Sequence, residues 1–420
     1  MKVLLSVLIT MVFITSDFAQ NANVYKTKVA ERVITVGGQG SDIQGFTNGA
    51  IQAAVCALTE TGGTVKLTPG VFEIIAPVRL SSNVNLAGSG AKTVLKISDA
   101  VSTHYIDDAD YGEYFVKVDN PQGFRVGMAV QIRDKMSSSC WDVSTAWITA
   151  IEGDTIYFDD GLIRDYKVGE KGIISNATSG VEVVEAENVI ITNLTIDGNR
   201  EKSARMDGCR GAGVYAFKAK NVTIKNVEVK NYYGEAISWQ ITENVTVSGC
   251  NIHNNAFNGC HPGTGSPNTL IEKNNIYDND KDGIFICWRV KHSTIRDNQI
   301  YNNGNGICTG HKDTDVLFEN NHIYNNRESG VKFREGSKRN APHNNTFIGN
   351  IIENNGRAGS GYGFLLLGTA ENLVLKNNII RDTGKGTQKA AIFYGKDSLP
   401  AKMEGNKISG HPQGDIIKEK

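Results

Sequence analysis

The chain has 420 residues, and 44 Lys plus Arg against 45 Asp plus Glu leave a formal charge of 44 − 45 = −1. A near-neutral chain carries no global field for nucleic acid. Its 45 Gly beside only 8 Pro describe a protein rich in tight turns, not a disordered one. The first elements read in order. Lys2, an apolar run over residues 3–14 and a small residue at Ala19 have the layout of a secretory signal over residues 1–19, so the mature protein is expected to be periplasmic or secreted. The run is too short to span a membrane. After a lead-in, residues 47–61 read as a helix with Ile51, Ala54, Val55 and Leu58 on one stripe, ended by Gly62 and Gly63. Thr64 to Phe72 then give strand, Pro69-Gly70 turn and strand.

That order of helix, Gly62-Gly63-Thr64-Val65 and Leu67-Thr68-Pro69-Gly70-Val71-Phe72 resembles the N-terminal cap of pectate-lyase-3 and glycoside-hydrolase-28-like β-helix enzymes. The resemblance implies that the helix plugs the open end of a solenoid and hides its strand edges. Residues 20–98 are thus expected to hold the cap and first coils. Over residues 99–176 the period is lost. The stretches 124–133 and 145–158, with a Gly153-Asp154 turn, read as a small antiparallel β insertion, either a wall for a groove or a plain excursion.

Residues 177–420 repeat one sentence. Each copy closes on an apolar residue: Ile196, Val229, Ile252, Ile276, Ile300, Ile323, Ile352, Ile380 and Ile408, at intervals of 33, 23, 24, 24, 23, 29, 28 and 28. A period in the low twenties with alternating apolar residues marks a solenoid of short strands. Asn274, Asn298, Asn321, Asn350, Asn378 and Asn406 stand two places before the closing residue, where stacked amides form a hydrogen-bonded ladder. The fold class is therefore all-β: a single-stranded right-handed parallel β-helix with an N-terminal capping helix and a small antiparallel insertion.

Aligning Ala236, Gly259, Gly283, Gly306 and Gly330 sets the register of a further strand. Ile237, Cys260, Ile284, Ile307 and Val331 then point inward, and Tyr215, Ser238, His261, Phe285, Cys308 and Lys332 outward. Seven cysteines argue against a full disulfide framework. Free thiols are expected, with a Cys287–Cys308 bridge left open.

Beyond that strand, successive coils carry His261, then Trp288 and Arg289, then His311, Lys312, Asp313 and Asp315, then Lys332, Arg334 and Glu335. In register, Trp288, His311 and Glu335 stack, as do Arg289 and Lys312, about 5 Å apart. Clustered cations repel unless an anion compensates, and Asp313, Asp315 and Glu335 offset only part of the charge. The expected partner is an acidic, uronate-containing or sulfated poly- or oligosaccharide, bound by a monomer without metal or cofactor.

Three chemistries fit. In β-elimination, a polysaccharide lyase or oligosaccharide dehydratase reaction, His311 or Lys332 is the base and His261 the partner acid. Arg289, Lys312 and Arg334 neutralise charge and Trp288 stacks on sugar. C5-epimerisation shares the proton abstraction. Inverting hydrolysis needs two carboxylates, from Asp282, Asp313, Asp315 and Glu335. A non-catalytic carbohydrate-binding solenoid would use Trp239, Trp288, Tyr215 and Phe285. The motifs Gly259 to Ser266, Cys287 to Val290 and Gly310 to Asp315 resemble those of secreted bacterial right-handed β-helix repeat proteins. The Asp motifs of polygalacturonase-type hydrolases and the Ca²⁺-binding Asp cluster of pectate lyases are not evident.

Overall fold

The computed structural model describes residues 32–137, 140–206, 208–359 and 361–419. The signal expected over residues 1–19 lies outside them. The chain winds as a parallel β-helix whose coils contribute to three parallel sheets of 13, 11 and 11 strands. The closing residues stack in the second of these. Ile196 pairs with Val229, Val229 with Ile252, and the column runs on through Ile276, Ile300, Ile323, Ile352 and Ile380 to Ile408. Members of the column from Ile196 to Ile380 are fully buried.

The Asn ladder forms as expected. Asn274 Nδ2 donates to Asn298 Oδ1 at 2.9 Å, Asn298 to Asn321 at 2.9 Å and Asn321 to Asn350 at 3.0 Å. A second ladder, not foreseen, runs through Asn255, Asn279, Asn303, Asn326 and Asn355 to Gln388. Each amide also donates to a carbonyl one coil back, as Asn298 does to Ile271. The amides thus satisfy turn backbone that water does not reach. Asn298→Ala should therefore lower stability by about 2 kcal/mol, because it strands buried donors and acceptors on both sides. Chemical denaturation measures this, and a loss within error of zero would remove the ladder from the stability argument.

The cap helix is Asn48–Leu58, shorter than expected chiefly at its end; the Thr47 hydroxyl accepts the Ala50 N–H at 3.2 Å and caps its start. Ile51, Ala54, Val55 and Leu58 are buried against the first coils. The insertion forms a six-stranded antiparallel sheet with its own core of Tyr105, Val130, Ile132, Ile148, Ile156 and Tyr166. It stands beside the start of the third parallel sheet, and the two enclose a cavity of about 230 Å³ lined by Arg79, Trp147, Glu182 and Met206 among others.

The third sheet has the expected register. Ile237 pairs with Cys260, Cys260 with Ile284, Ile284 with Ile307 and Ile307 with Val331. The preceding glycines are required by close approach: a Cβ on Gly259 or Gly306 would lie 2.6 Å from the carbonyl oxygen of the next coil's Gly283 or Gly330. Cys56, Cys250, Cys260, Cys287 and Cys308 are free and Cys209 is disulfide-bonded. The Cys287–Cys308 bridge does not form, because Cys308 pairs with Phe285 and Cys287 stands two residues further along.

Candidate active site

The outward row of the third sheet is more covered than the alternation implies. Tyr215 is 5%, Ser238 1%, His261 4% and Cys308 3% exposed. The Tyr215 hydroxyl donates to the Cys209 carbonyl at 2.6 Å. Trp239 faces inward, fully buried, with its Nε1–H on the Thr269 hydroxyl. Of the aromatics expected to line a groove, Trp288 is the exposed one, at 48%.

Arg334 organises the site. Its side chain lies across Gly310, where a Cβ would come within 2.8 Å of Arg334 Nε. The guanidinium sits 4.5 Å from the Phe285 ring centre, and Nη2 donates to the Ile286 carbonyl at 2.8 Å. Asp313 Oδ2 is 3.6 Å away. Asp313 itself is fully buried and accepts the N–H groups of Gly310 and Val290 at 3.0 and 3.2 Å. Burial raises its pKa to about 6, against the pull of those amides and of Arg334. It pins the turn and does not reach a ligand, contrary to the substrate-binding expectation.

The turn so held presents two stacked left-handed pairs: Trp288 and Arg289 at φ 63 and 64, and His311 and Lys312 at φ 54 and 68. The Arg289 N–H donates to the His311 carbonyl at 3.1 Å. Trp288 meets His311 edge-on at 5.2 Å between ring centres. These stackings were expected from the repeat. Burial, and then the Arg334 charge, lower the His311 pKa, so its imidazole is neutral near pH 7. Lys332 lies in the strand Val331–Phe333, two residues before Arg334, and is 3.9 Å from Glu328.

Two further expectations fail, that for Glu335 because the coil after Lys312 is longer. The chain turns away through the short helix Lys338–Asn340, and Lys312 N–H pairs with the Asn340 carbonyl. Glu335 therefore lines a different depression, with Ser337, Lys396 and Glu419. Asp315, at φ 59, takes a place in a ladder of left-handed turn residues with Asn244, Asn268, His292 and Asn344, and accepts from Asn344 Nδ2 at 3.0 Å. It is a turn residue, away from the Arg334 cluster.

His261 belongs to a separate group. Its Nδ1 is 3.4 Å from Glu235 Oε1, and both residues are buried. Glu235 is in turn fixed by the backbone N–H and the side-chain amide of Asn258, each at 3.1 Å. Burial alone would depress the His261 pKa. Glu235, helped by the Cys287 thiol, overrides it and lifts the value to about 9. The register puts two strand spacings, roughly 10 Å, between His261 and the coil bearing His311. One sugar ring cannot place neighbouring carbons against both, so His261 is not the partner acid of His311. Glu235 was missed in the sequence. Its signal was its place before Ala236, occupied by Asn258, Asp282 and Asn305 in the following coils.

A raised histidine pKa stabilises the fold below the unfolded value near 6.5 and loses that contribution as pH rises through about 9. Stability should therefore fall by on the order of 2 kcal/mol between those limits, and Glu235→Gln should flatten the slope. A wild-type profile already flat over that window would exclude the charged pair.

A family model described as right handed beta helix region matches residues 141–261, 179–347 and 316–419. No curated protein matches the chain at the sequence level. Among solved structures, a polygalacturonase from Erwinia carotovora ssp. carotovora is similar at TM-score 0.56 and 15% identity, over 93% of this chain and 99% of that one. The Streptococcus pneumoniae surface protein and adhesin PfbA gives 0.55 and 15%, over 89% and 96%. The A-module of the Azotobacter vinelandii mannuronan C-5 epimerase AlgE6 gives 0.52 and 20%, over 89% and 95%. At such identities the likeness establishes the fold alone.

Proposed function

We propose, from the premise that this chain belongs to the right handed beta helix region family, that it is an enzyme acting on uronate-containing poly- or oligosaccharides by β-elimination, as a polysaccharide lyase or an oligosaccharide dehydratase. The observation that carries this reading is the cluster of Trp288 edge-on to His311, and of Arg334 across the adjoining Gly310, with Arg289 and Lys312 beside it. A neutral imidazole next to a guanidinium suits removal of a proton α to a carboxylate. His311 takes the C5 proton and Arg334 balances the charge that develops on the carboxylate. Lys332, three residues along from the His311 height on the next coil, holds a neighbouring acidic group, and the oxygen leaving C4 takes its proton from solvent. Trp288 stacks on the ring, and Arg289 and Lys312 hold neighbouring acidic groups. Similar structures named as a mannuronan C-5 epimerase and a polygalacturonase support a carbohydrate ligand.

Inverting hydrolysis has less support. Of its four candidate carboxylates, Asp313 is sequestered by backbone amides, Asp315 stands in a turn ladder and Glu335 lies elsewhere. Asp282 alone stays on this sheet, its pKa raised by burial.

The test is incubation with poly- and oligouronides while following the absorbance of unsaturated uronate, chain length and reducing ends. A rise with shortening marks a lyase, and a rise without shortening a dehydratase. Reducing ends without absorbance would replace elimination by hydrolysis. Altered C5 stereochemistry alone would replace it by epimerisation.

A further inference from the structure

The elimination mechanism leaves one buried group unused. Glu235, His261 and Cys287 stand on three successive coils, shifted two or three residues along the strand at each step. They form a diagonal of carboxylate, imidazole and thiol. Glu235 is locked by Asn258 through both oxygens. His261 is 4% exposed, and among the described residues neither of its ring nitrogens has a well-aligned hydrogen-bond partner. Nδ1 faces Glu235 at 3.4 Å, and the ring interacts with the half-buried Cys287 thiol. Phe285 packs edge-on against the ring at 5.1 Å and fixes its plane. A buried imidazole oriented by a carboxylate and presented to a thiol is the arrangement that activates a nucleophile. It is costly to bury without such use.

A potential oxyanion donor is beside it. Arg334 binds the carbonyl of Ile286, the residue before Cys287, while its own buried Nε–H has no partner among the described residues. Trp288, the residue after Cys287, is the exposed aromatic of the groove. The nucleophile thus opens onto the surface assigned above to sugar.

We propose that Cys287 is a nucleophile for acyl esters carried by the carbohydrate in this groove, with His261 as its proton partner and Glu235 as the positioning residue. The substrate class rests on the carbohydrate reading; the thiol chemistry does not. The Cys287 thiol gives its proton to His261 as sulfur attacks the ester carbonyl carbon, forming a C–S bond while the carbonyl electron pair moves to oxygen beside Arg334. Collapse breaks the C–O bond, and the departing sugar oxygen takes the proton from His261. Water then adds to the thioester and gives a proton to His261. The C–S bond breaks, the departing sulfur takes that proton from His261, and the acid is released with the thiol restored.

The test treats the native protein with p-nitrophenyl acetate at pH 7, followed by acid quench and peptide mass mapping. The expected result is one acetyl group on Cys287, formed at least tenfold faster than in Glu235→Gln. The exposed Cys56 is the internal control. Acetylation favouring Cys56, or a Glu235→Gln rate equal to wild type, overturns the nucleophile. Should Glu235→Gln not fold, the wild-type ratio of iodoacetamide alkylation at Cys287 to that at Cys56 decides at pH 6. More than tenfold is expected, and a ratio near one overturns the proposal. Acetate release from an O-acetylated oligouronide by wild type but not by Cys287→Ala is the expected turnover. Labelling without release would overturn the substrate class. None of these readouts uses unsaturated-uronate absorbance, so failure of elimination and failure of acyl transfer are separately visible.

Discussion

His311→Ala is expected to lower the rate of unsaturated-uronate formation by about 10²–10⁴-fold while leaving the melting transition in place. The expectation rests on geometry. His311 stands on a turn whose backbone is fixed from outside its own side chain, by Asp313 on Gly310 and by the Arg289–His311 hydrogen bond. Losing the imidazole removes the base without unlocking the turn. The pH profile gives the sign. Burial and Arg334 lower the His311 pKa, so the base is already free near neutrality. Activity should rise with pH along a limb lying below the ordinary histidine value near 6.5 and be level above it. A limb above that value, or full activity in His311→Ala, would assign the proton abstraction to another residue.

Arg334→Ala should lose about 10²–10³-fold in kcat, the range for removing one donor to a developing anion. Arg334→Lys should recover little, because an ammonium cannot grip the Ile286 carbonyl and a ligand carboxylate together from one planar fork. Stability should fall as well, by about 2–3 kcal/mol at pH 7. The change strips Asp313 of its countercharge at 3.6 Å and uncovers Phe285. The Asp313 pKa is already pushed up to about 6, and loss of Arg334 pushes it further. A protonated carboxyl needs no countercharge, so the stability deficit should shrink as pH drops below that range. A deficit independent of pH would mean that packing on Phe285, not charge, is what Arg334 provides.

Repetition made the fold readable from residues alone. An apolar residue closing every coil, an Asn two places before it and a glycine before the third strand each recur because stacked coils meet the same neighbours at the same height. The pairings of Trp288 with His311 and of Arg289 with Lys312 were legible for that reason. What failed were positions where a coil changes length or where an outward side chain is covered by distant chain. Glu335 is displaced by a longer coil, and Tyr215, Ser238 and His261 face outward yet lie buried.

The sequence by itself thus determined the solenoid, its register and the wall on which the charged residues stand, since local periodicity fixes which side chains share a height. Only the tertiary structure decided which of them face a ligand. Asp313 turned inward to backbone amides, Asp315 joined a ladder of turns, and Glu235 met His261 and Cys287 along a diagonal. Burial and pairing across coils depend on the path of chain between repeats, which a repeat pattern does not encode.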